Sequence, residues 1–267
     1  MPTDNAAFIG SIPENYDRYL GPVLFAPYAA DLVERVGVPD GASVLELACG
    51  TGIVTRRLRD RLSPSVKIVA TDLNDAMFNY ASQKFSPGEI EWQQADAGEL
   101  PFPDESFDAV VCQFGLMFFP DKDRAVREAY RVLKPGGSFH FNVWDAIELN
   151  DFPQIAHREI TKFFDHDPPT FYEVPFSFYD RETITALLTG AGFRNVEIAT
   201  VTVDGAASSV ADLTQGLIHG NPVVGAIRER DAALLPEIEA AVATAVSESC
   251  GDPPQGRLQA VVCAAVK

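Results

Sequence analysis

The sequence predicts an α/β fold built on a doubly wound, mostly parallel sheet, and three observations carry that expectation. Short apolar runs alternate with amphipathic stretches through the first half of the 267-residue chain, the pattern of strands joined by crossover helices. A turn of small residues, Ala48-Cys49-Gly50-Thr51-Gly52, joins the first apolar run directly to a helical stripe. A breaker, Lys134-Pro135-Gly136-Gly137, separates the last helical stripe of that half from another apolar run.

Taken in order, residues 1–38 predict a helical cap, with one stretch over Pro13–Tyr19 and another over Pro22–Val36. Leu32, Val33 and Val36 share a face there, and Pro27 starts or kinks the second helix. Val44–Leu47 reads as a buried strand that sets the carboxylate of Glu46 at its carboxyl edge. From Ile53 onward, Ile53, Val54, Leu58 and Leu62 fall on one helical face and leave Arg56, Arg57, Arg59 and Arg61 mostly toward solvent. A second strand, Val66–Thr71, ends at Asp72, and a helix near Asp75–Phe85 leads to a third at Ile90–Gln94. Pro101, Pro103 and Asp104 mark a loop before the fourth, Phe107–Cys112. Ala125, Val126, Ala129, Val132 and Leu133 form the next stripe, which stops at the breaker before a fifth strand, Phe139–Trp144. Such alternation predicts parallel pairing through right-handed crossovers.

The second half departs from this rhythm. Residues 150–179 crowd Phe163, Phe164, Phe171, Tyr172, Phe176, Phe178 and Tyr179 among acidic residues, an insertion suited to cover something apolar. Asp180 is placed to cap a helix through Leu188, with Gly192 ending it before a strand at Val196–Val203. A second insertion, residues 205–250, carries a helical stripe of Ile238, Ala241, Val242 and Ala245. The alternating segment Leu258–Val266 returns as a final strand. One domain over 1–267 is expected, with a cofactor-binding core at 39–145 and the two insertions covering an acceptor site.

Composition narrows the function. The chain is 46% apolar without an apolar run of membrane length, and its N-terminus lacks the blocks of a secretory signal. Cys49, Cys112, Cys250 and Cys263 show no paired spacing, so a soluble cytoplasmic protein with reduced thiols is expected. A formal net charge of −17 opposes nucleic acid and anionic membranes. His140, His157, His166 and His219 form no metal-ligand motif, and no metal is expected.

The small-residue turn selects among nucleotide cofactors. A dinucleotide fingerprint needs a third glycine where Thr55 stands, and a phosphate loop needs a Gly-Lys-Ser/Thr ending that is missing. Glu46 would repel a pyrophosphate but suits a ligand with an ammonium group. S-adenosylmethionine has that ammonium beside a cationic sulfonium.

Four blocks then carry a resemblance. They are Leu45-Glu46-Leu47-Ala48-Cys49-Gly50-Thr51-Gly52; Ala70-Thr71-Asp72-Leu73-Asn74-Asp75-Ala76-Met77; Gln94-Ala95-Asp96-Ala97 with Leu100-Pro101-Phe102; and Phe107-Asp108-Ala109-Val110 through Arg131-Val132-Leu133-Lys134-Pro135-Gly136-Gly137. In this order, over about residues 44–144, they resemble the class I S-adenosylmethionine-dependent methyltransferases, within them the small-molecule group that includes ubiquinone and menaquinone biosynthesis enzymes. Ala48 departs from the glycine frequent there. The resemblance implies the Rossmann-like methyltransferase fold, seven strands with the last antiparallel, and S-adenosylmethionine as cofactor with S-adenosylhomocysteine as product. It implies that Asp72 takes the ribose hydroxyls, that Leu73 and Met77 flank the adenine, and that Asp96 and the amide of Ala97 read its edge. The main chain at Ala48 and Gln113, with Gly50 and Gly52 shaping the bend, would hold the methionine end, and Glu46 would help by charge. Tyr16 and Tyr19 resemble an N-terminal tyrosine motif that closes over the cofactor.

Methyl transfer from a sulfonium is an in-line displacement that asks the protein mainly for orientation in a dry pocket. No catalytic residue stands out. The expected acceptor is a small apolar or aromatic molecule near Gln113, Phe114, Met117, Phe118 and Trp144, under the aromatic insertion. Two other readings are a noncatalytic cofactor-binding scaffold or sensor and, against Thr55, an NAD-dependent oxidoreductase.

Overall fold

The computed structural model describes residues 8–267; the first seven residues of the expected cap lie outside that range. Seven strands form one sheet: β1 (Ser43–Glu46), β2 (Lys67–Asp72), β3 (Glu91–Gln94), β4 (Phe107–Gln113), β5 (Leu133–Trp144), β6 (Arg194–Ala206) and β7 (Gln255–Val266). Their order is β3-β2-β1-β4-β5-β7-β6. β1 to β5 pair in parallel, whereas β7 runs antiparallel between β5 and β6. Strand order therefore reverses between β1 and β4, and the crevice beyond their carboxyl ends is where open α/β sheets bind ligands.

Alternation along the strands explains two cores, one on each face. In β1, Val44 joins Leu32, Val33 and Val36 of the cap and Val54 and Leu58 of the following helix, while Leu45 faces the opposite cluster. On the first face lie α2 (Ala26–Glu34), α3 (Ile53–Arg61) and α4 (Asp75–Ser82). The other takes α5 (Lys122–Val132), α6 (Asp151–Thr161), α7 (Arg181–Ala191), α8 (Val210–His219), α9 (Val223–Asp231) and α10 (Leu235–Cys250). Among the described residues no helix is long and apolar enough to cross a membrane.

Local chemistry sets the boundaries. Asp180 accepts the amide of Thr183 at 2.7 Å to open α7, and Gly192, at φ 105°, closes it in the left-handed region that favours glycine. The predicted stripe of α5 is buried throughout. Three expectations need correction. Residues 16–25 are a π-helical run that joins Ile12–Asn15 to α2 without a break, and Pro22 sits inside it. The wider i to i+5 turn eases the clash between the proline ring and the carbonyl of the preceding turn. Second, Lys134-Pro135-Gly136-Gly137 does not separate helix from strand but forms a bulge within β5, between the pairs Phe107–Leu133 and Ala109–Ser138. There Gly137 lets the chain pass where a Cβ would lie 2.9 Å from the carbonyl of Lys134. Third, Arg59 is not a solvent side chain: its guanidinium bonds the carbonyls of Val66 at 2.9 Å and Leu62 at 3.1 Å, closing the α3–β2 turn.

Candidate functional site

The bend after β1 is built from backbone geometry. Ala48, Gly50 and Gly52 have φ of 51°, 55° and 83°, so the chain turns through three left-handed residues before α3 begins. The left-handed region costs a residue with a Cβ roughly 1–2 kcal/mol, yet Ala48 stands there. The facing residue explains how alanine fits: a Cβ on Gly115 would lie 2.6 Å from that of Ala48 and 2.8 Å from Cys112 Sγ. The methyl group gained on one side of the crevice is matched by one missing on the other.

Asp72 ties this bend to the tip of β2. Its Oδ2 accepts the Gly50 amide at 2.8 Å and its Oδ1 accepts the Asn74 amide at 2.9 Å. Each carboxylate oxygen keeps a second lone pair for a ligand hydroxyl. Burial raises the carboxyl's pKa against the pull of the Asn74, Gly50 and Leu73 amides. Beneath the bend, Glu46 is 2% exposed and its Oε2 has no hydrogen-bond partner among the described residues. Burial pushes that carboxyl up to about 8, with Thr55 beside it pulling the other way. A buried carboxyl with one oxygen left unpartnered is a poor element of a resting core. It is a fitting counter-charge for a bound ammonium.

The side expected to take the adenine is equally ordered. Leu73 is 46% exposed at the mouth, while Met77 is buried beside Gly50. An exposed leucine above a buried methionine offers a flat apolar ring two surfaces. Asp96, exposed, turns its own loop by accepting the Gly98 amide at 2.8 Å, and Ala97 is buried next to it. Two braces on this side escaped the sequence reading. Arg131 bonds the carbonyls of Leu100 at 3.0 Å and Phe102 at 2.7 Å together with Glu128 and Asp104, which pins the loop that carries Asp96 and Ala97 to α5. Gln94 Nε2 donates to Leu73 O and to Asp75, each at 2.9 Å, and fixes the turn after β2. Their only signal was position inside two of the resemblance blocks.

Gln113 ends β4, its Nε2 donating to Phe25 O at 3.3 Å. The next residue, Phe114, has φ 49° and donates its amide to both the carbonyl and the side-chain Oδ1 of fully buried Asn142. Of the two tyrosines, Tyr16 reaches the crevice. It stacks on Phe25 at 4.5 Å, and burial, with Asp17 and Asp72 nearby, holds its hydroxyl protonated far above the usual tyrosine range. Tyr19 turns away toward α8, where Gly216 makes room for it, and Arg18 lies over its ring at 5.1 Å. Lys84 holds the tyrosine segment down by bonding both Asp17 and, at 2.8 Å, the carbonyl of Thr51 in the bend.

Beyond Tyr16 lies an aromatic cavity. Phe114 and Trp144 stack at 3.9 Å on one side, with Tyr28 edge-on to both, and Phe171, Tyr172 and Phe176 close the other. Phe25, Met117 and Phe118 complete the contact with the crevice. Residues of both expected insertions, 150–179 and 205–250, thus border it. Among the described residues no histidine lines it: His166 is exposed, His219 pairs with Glu239 at 2.7 Å, His140 is buried in β5, and the His157 ring lies 6.4 Å from that of Tyr172. Among the described residues no group of three or more His, Cys, Asp or Glu side chains could hold a metal ion.

Comparison with known proteins agrees with this fold. Residues 45–141 match the model of a methyltransferase domain. The chain is 33% identical over 189 residues to the ubiquinone/menaquinone biosynthesis C-methyltransferase UbiE of Cronobacter sakazakii, covering 64% of this chain and 73% of that protein. The counterpart from Escherichia coli K12 is 33% identical over 187 residues, with the same coverage. Among solved structures, phosphoethanolamine N-methyltransferase 2 of Haemonchus contortus, bound to S-adenosylhomocysteine, superposes with a TM-score of 0.63 at 16% identity, covering 98% of this chain and 59% of that one. YcgJ of Bacillus subtilis gives 0.61 at 20% identity, covering 90% and 97%. At these identities the structures show a shared fold.

Proposed function

Because the chain belongs to the class I S-adenosylmethionine-dependent methyltransferases, with ubiquinone and menaquinone biosynthesis enzymes among its relatives, we propose that the crevice over β1, β2 and β4 holds its cofactor and the aromatic cavity takes an apolar acceptor. Its activity is methyl transfer from S-adenosylmethionine. When bound, that cofactor supplies a methyl carbon on a cationic sulfur.

The chain's own groups divide the work of holding it. Asp72 accepts the two ribose hydroxyls, Leu73 and Met77 sandwich the adenine, and Asp96 and the Ala97 amide read the adenine edge. Ala48, Gly50, Gly52 and Gln113 bring main chain to the methionine end, and Glu46 supplies the counter-charge. Tyr16 roofs the sulfur, where an aromatic face next to a cation contributes roughly 0.5–2 kcal/mol. Tyr19 is outside this set because it faces α8. Phe114 and Trp144 hold the acceptor against the crevice, and the closing aromatics exclude water, so catalysis rests on alignment. The net charge of −17 supports a small molecule over a nucleic acid as acceptor.

The observation that carries the cofactor site is the 2.8 Å bond from Gly50 to Asp72, which fixes the bend and the strand-tip carboxylate as one unit. Titration calorimetry with S-adenosylmethionine tests it. Two hydrogen bonds to a charged group contribute roughly 1.5–3 kcal/mol each, so Asp72→Ala should weaken binding at least a hundredfold. Equal binding by the variant refutes the placement.

A further inference from the structure

One side chain of the acceptor cavity is polar, buried and incompletely partnered. Asn221, in the turn between α8 and α9, is 7% exposed and lines the cavity with Tyr172 and Leu217. Its Nδ2 donates to Leu217 O at 3.0 Å and to the Tyr172 hydroxyl at 3.3 Å, and that hydroxyl in turn donates to Leu217 O at 2.6 Å. This triangle fixes the amide. With the group flipped, Oδ1 would face the carbonyl of Leu217, oxygen against oxygen, and the Tyr172 hydroxyl could reach it only by giving up its own bond to Leu217 O. Oδ1 therefore points away from the triangle, and it has no hydrogen-bond partner among the described residues.

The rest of the described lining is apolar or aromatic, without a carboxylate, histidine, lysine or arginine; the one other tyrosine, Tyr16, stands at the cofactor side. An acceptor atom left free on a side chain only 7% exposed, within such a lining, discriminates between ligands, because one without a donor leaves it unsatisfied. We infer that Asn221 is a specificity-determining residue: the methyl acceptor is a neutral, mostly apolar ring compound carrying a hydroxyl or N–H group, and that group donates to Asn221 Oδ1. The inference rests on the methyl-transfer reading of the same site. As it stands the cavity measures about 50 Å³, well below the roughly 150 Å³ that holds a benzene. Binding of a ring therefore requires the aromatic side chains to part.

The test uses the protein saturated with S-adenosylhomocysteine and two single-ring probes of one shape, p-cresol and p-xylene, titrated by NMR with the side-chain amide of Asn221 as reporter. The expected result is that p-cresol binds roughly tenfold to a hundredfold more tightly than p-xylene, shifts the Asn221 resonances, and loses that advantage in Asn221→Leu with S-adenosylhomocysteine affinity unchanged. Equal binding of the two probes by the native protein overturns the inference. So does binding of neither, or a preference that survives in Asn221→Leu. Should that variant not fold, Asn221→Ser and the native p-cresol to p-xylene ratio decide the matter. Failure of S-adenosylhomocysteine itself to bind is a separate outcome, which overturns the cofactor site and this inference with it.

Discussion

The cofactor crevice and the acceptor cavity share a boundary at Phe114 and Tyr16 but are made in different ways. The crevice is local: its bend, strand tips and loops come from residues 46–113, and backbone angles and amide hydrogen bonds do most of the shaping. The cavity is assembled from afar, with Phe25, Trp144, Phe171 and Leu217 drawn from four separate segments and held by ring packing. Charge follows the same division. The crevice concentrates Glu46, Asp72 and Asp96, whereas the described lining of the cavity is uncharged. A site of main chain and charge can be kept while a wall of rings is replaced, which suits a family that holds its methyl donor constant and changes its acceptor.

The largest blow to the cavity is Trp144→Ala. Trp144 is 3% exposed, stacked on Phe114 and edge-on to Tyr28, and truncating such a ring costs roughly 3–5 kcal/mol of stability. Chemical denaturation should show a loss of that size, while calorimetry at a temperature where the variant is folded should find cofactor affinity within about twofold of native. A matching fall in cofactor affinity would mean that the two regions are one energetic unit.

Arg131→Met is the converse experiment. It frees the carbonyls of Leu100 and Phe102 and leaves Glu128 with the Leu100 amide in place of its cation. Glu128 and Arg131 are both partly exposed, which tempers the loss to about 1–3 kcal/mol. Denaturation should register it, and cofactor affinity should fall severalfold as the loop of Asp96 and Ala97 loosens. Binding of p-cresol to the cofactor-saturated protein should not change.

The two regions should also differ in their response to pH. With its carboxyl pushed up to about 8, Glu46 is mostly protonated at neutral pH and must ionise to meet an ammonium. Cofactor binding then releases a proton, and affinity should fall by up to about tenfold per pH unit below 8. Calorimetry in two buffers of different ionisation enthalpy measures that release directly. Stability of the cofactor-free protein runs the other way. The folded state holds this proton more tightly than the unfolded chain, so stability is full below the ordinary glutamate range and declines as pH rises toward 8. Glu46→Gln should flatten both curves. Ring binding in the cavity, with no ionisable group besides its tyrosines, should be level across the same range.

The difference between the regions also explains what could be read in advance. Strand and helix positions, the bend, Asp72 at its strand tip and the cap at Asp180 were legible because each depends on neighbours in sequence: a periodicity, a glycine, a side chain reaching an amide three residues on. The seven strands with the last antiparallel followed from the resemblance, whereas their order came from the structure. Arg131 and Gln94 were missed because each acts on carbonyls twenty or more residues away, and no local pattern encodes such a reach. Tyr16 and Tyr19 looked alike because they are three residues apart. The π-helical pitch over 16–25, together with the room at Gly216, sends one to the crevice and the other to α8. Asn221 gave no signal, since an asparagine before proline reads as a turn residue until Tyr172 is seen against it.

The smallest effect concerns the place where the two regions touch. Ala48→Gly removes a Cβ from a left-handed residue, relieving roughly 1 kcal/mol of backbone strain, and loosens the unfolded chain by a similar amount. The net change in stability should stay within about 0.5 kcal/mol, with cofactor affinity unchanged. Gly115→Ala alone should be markedly destabilising, because its Cβ would sit at 2.6 Å from that of Ala48. In the double variant Ala48→Gly/Gly115→Ala part of that loss should return. It should not all return, since Cys112 Sγ stays 2.8 Å from the new methyl group. A denaturation double-mutant cycle with a clear favourable coupling would establish that alanine in the bend is tolerated through the glycine opposite. Strict additivity would place the tolerance in the bend itself, and the crevice would then be shaped by its own backbone even at its border with the rings.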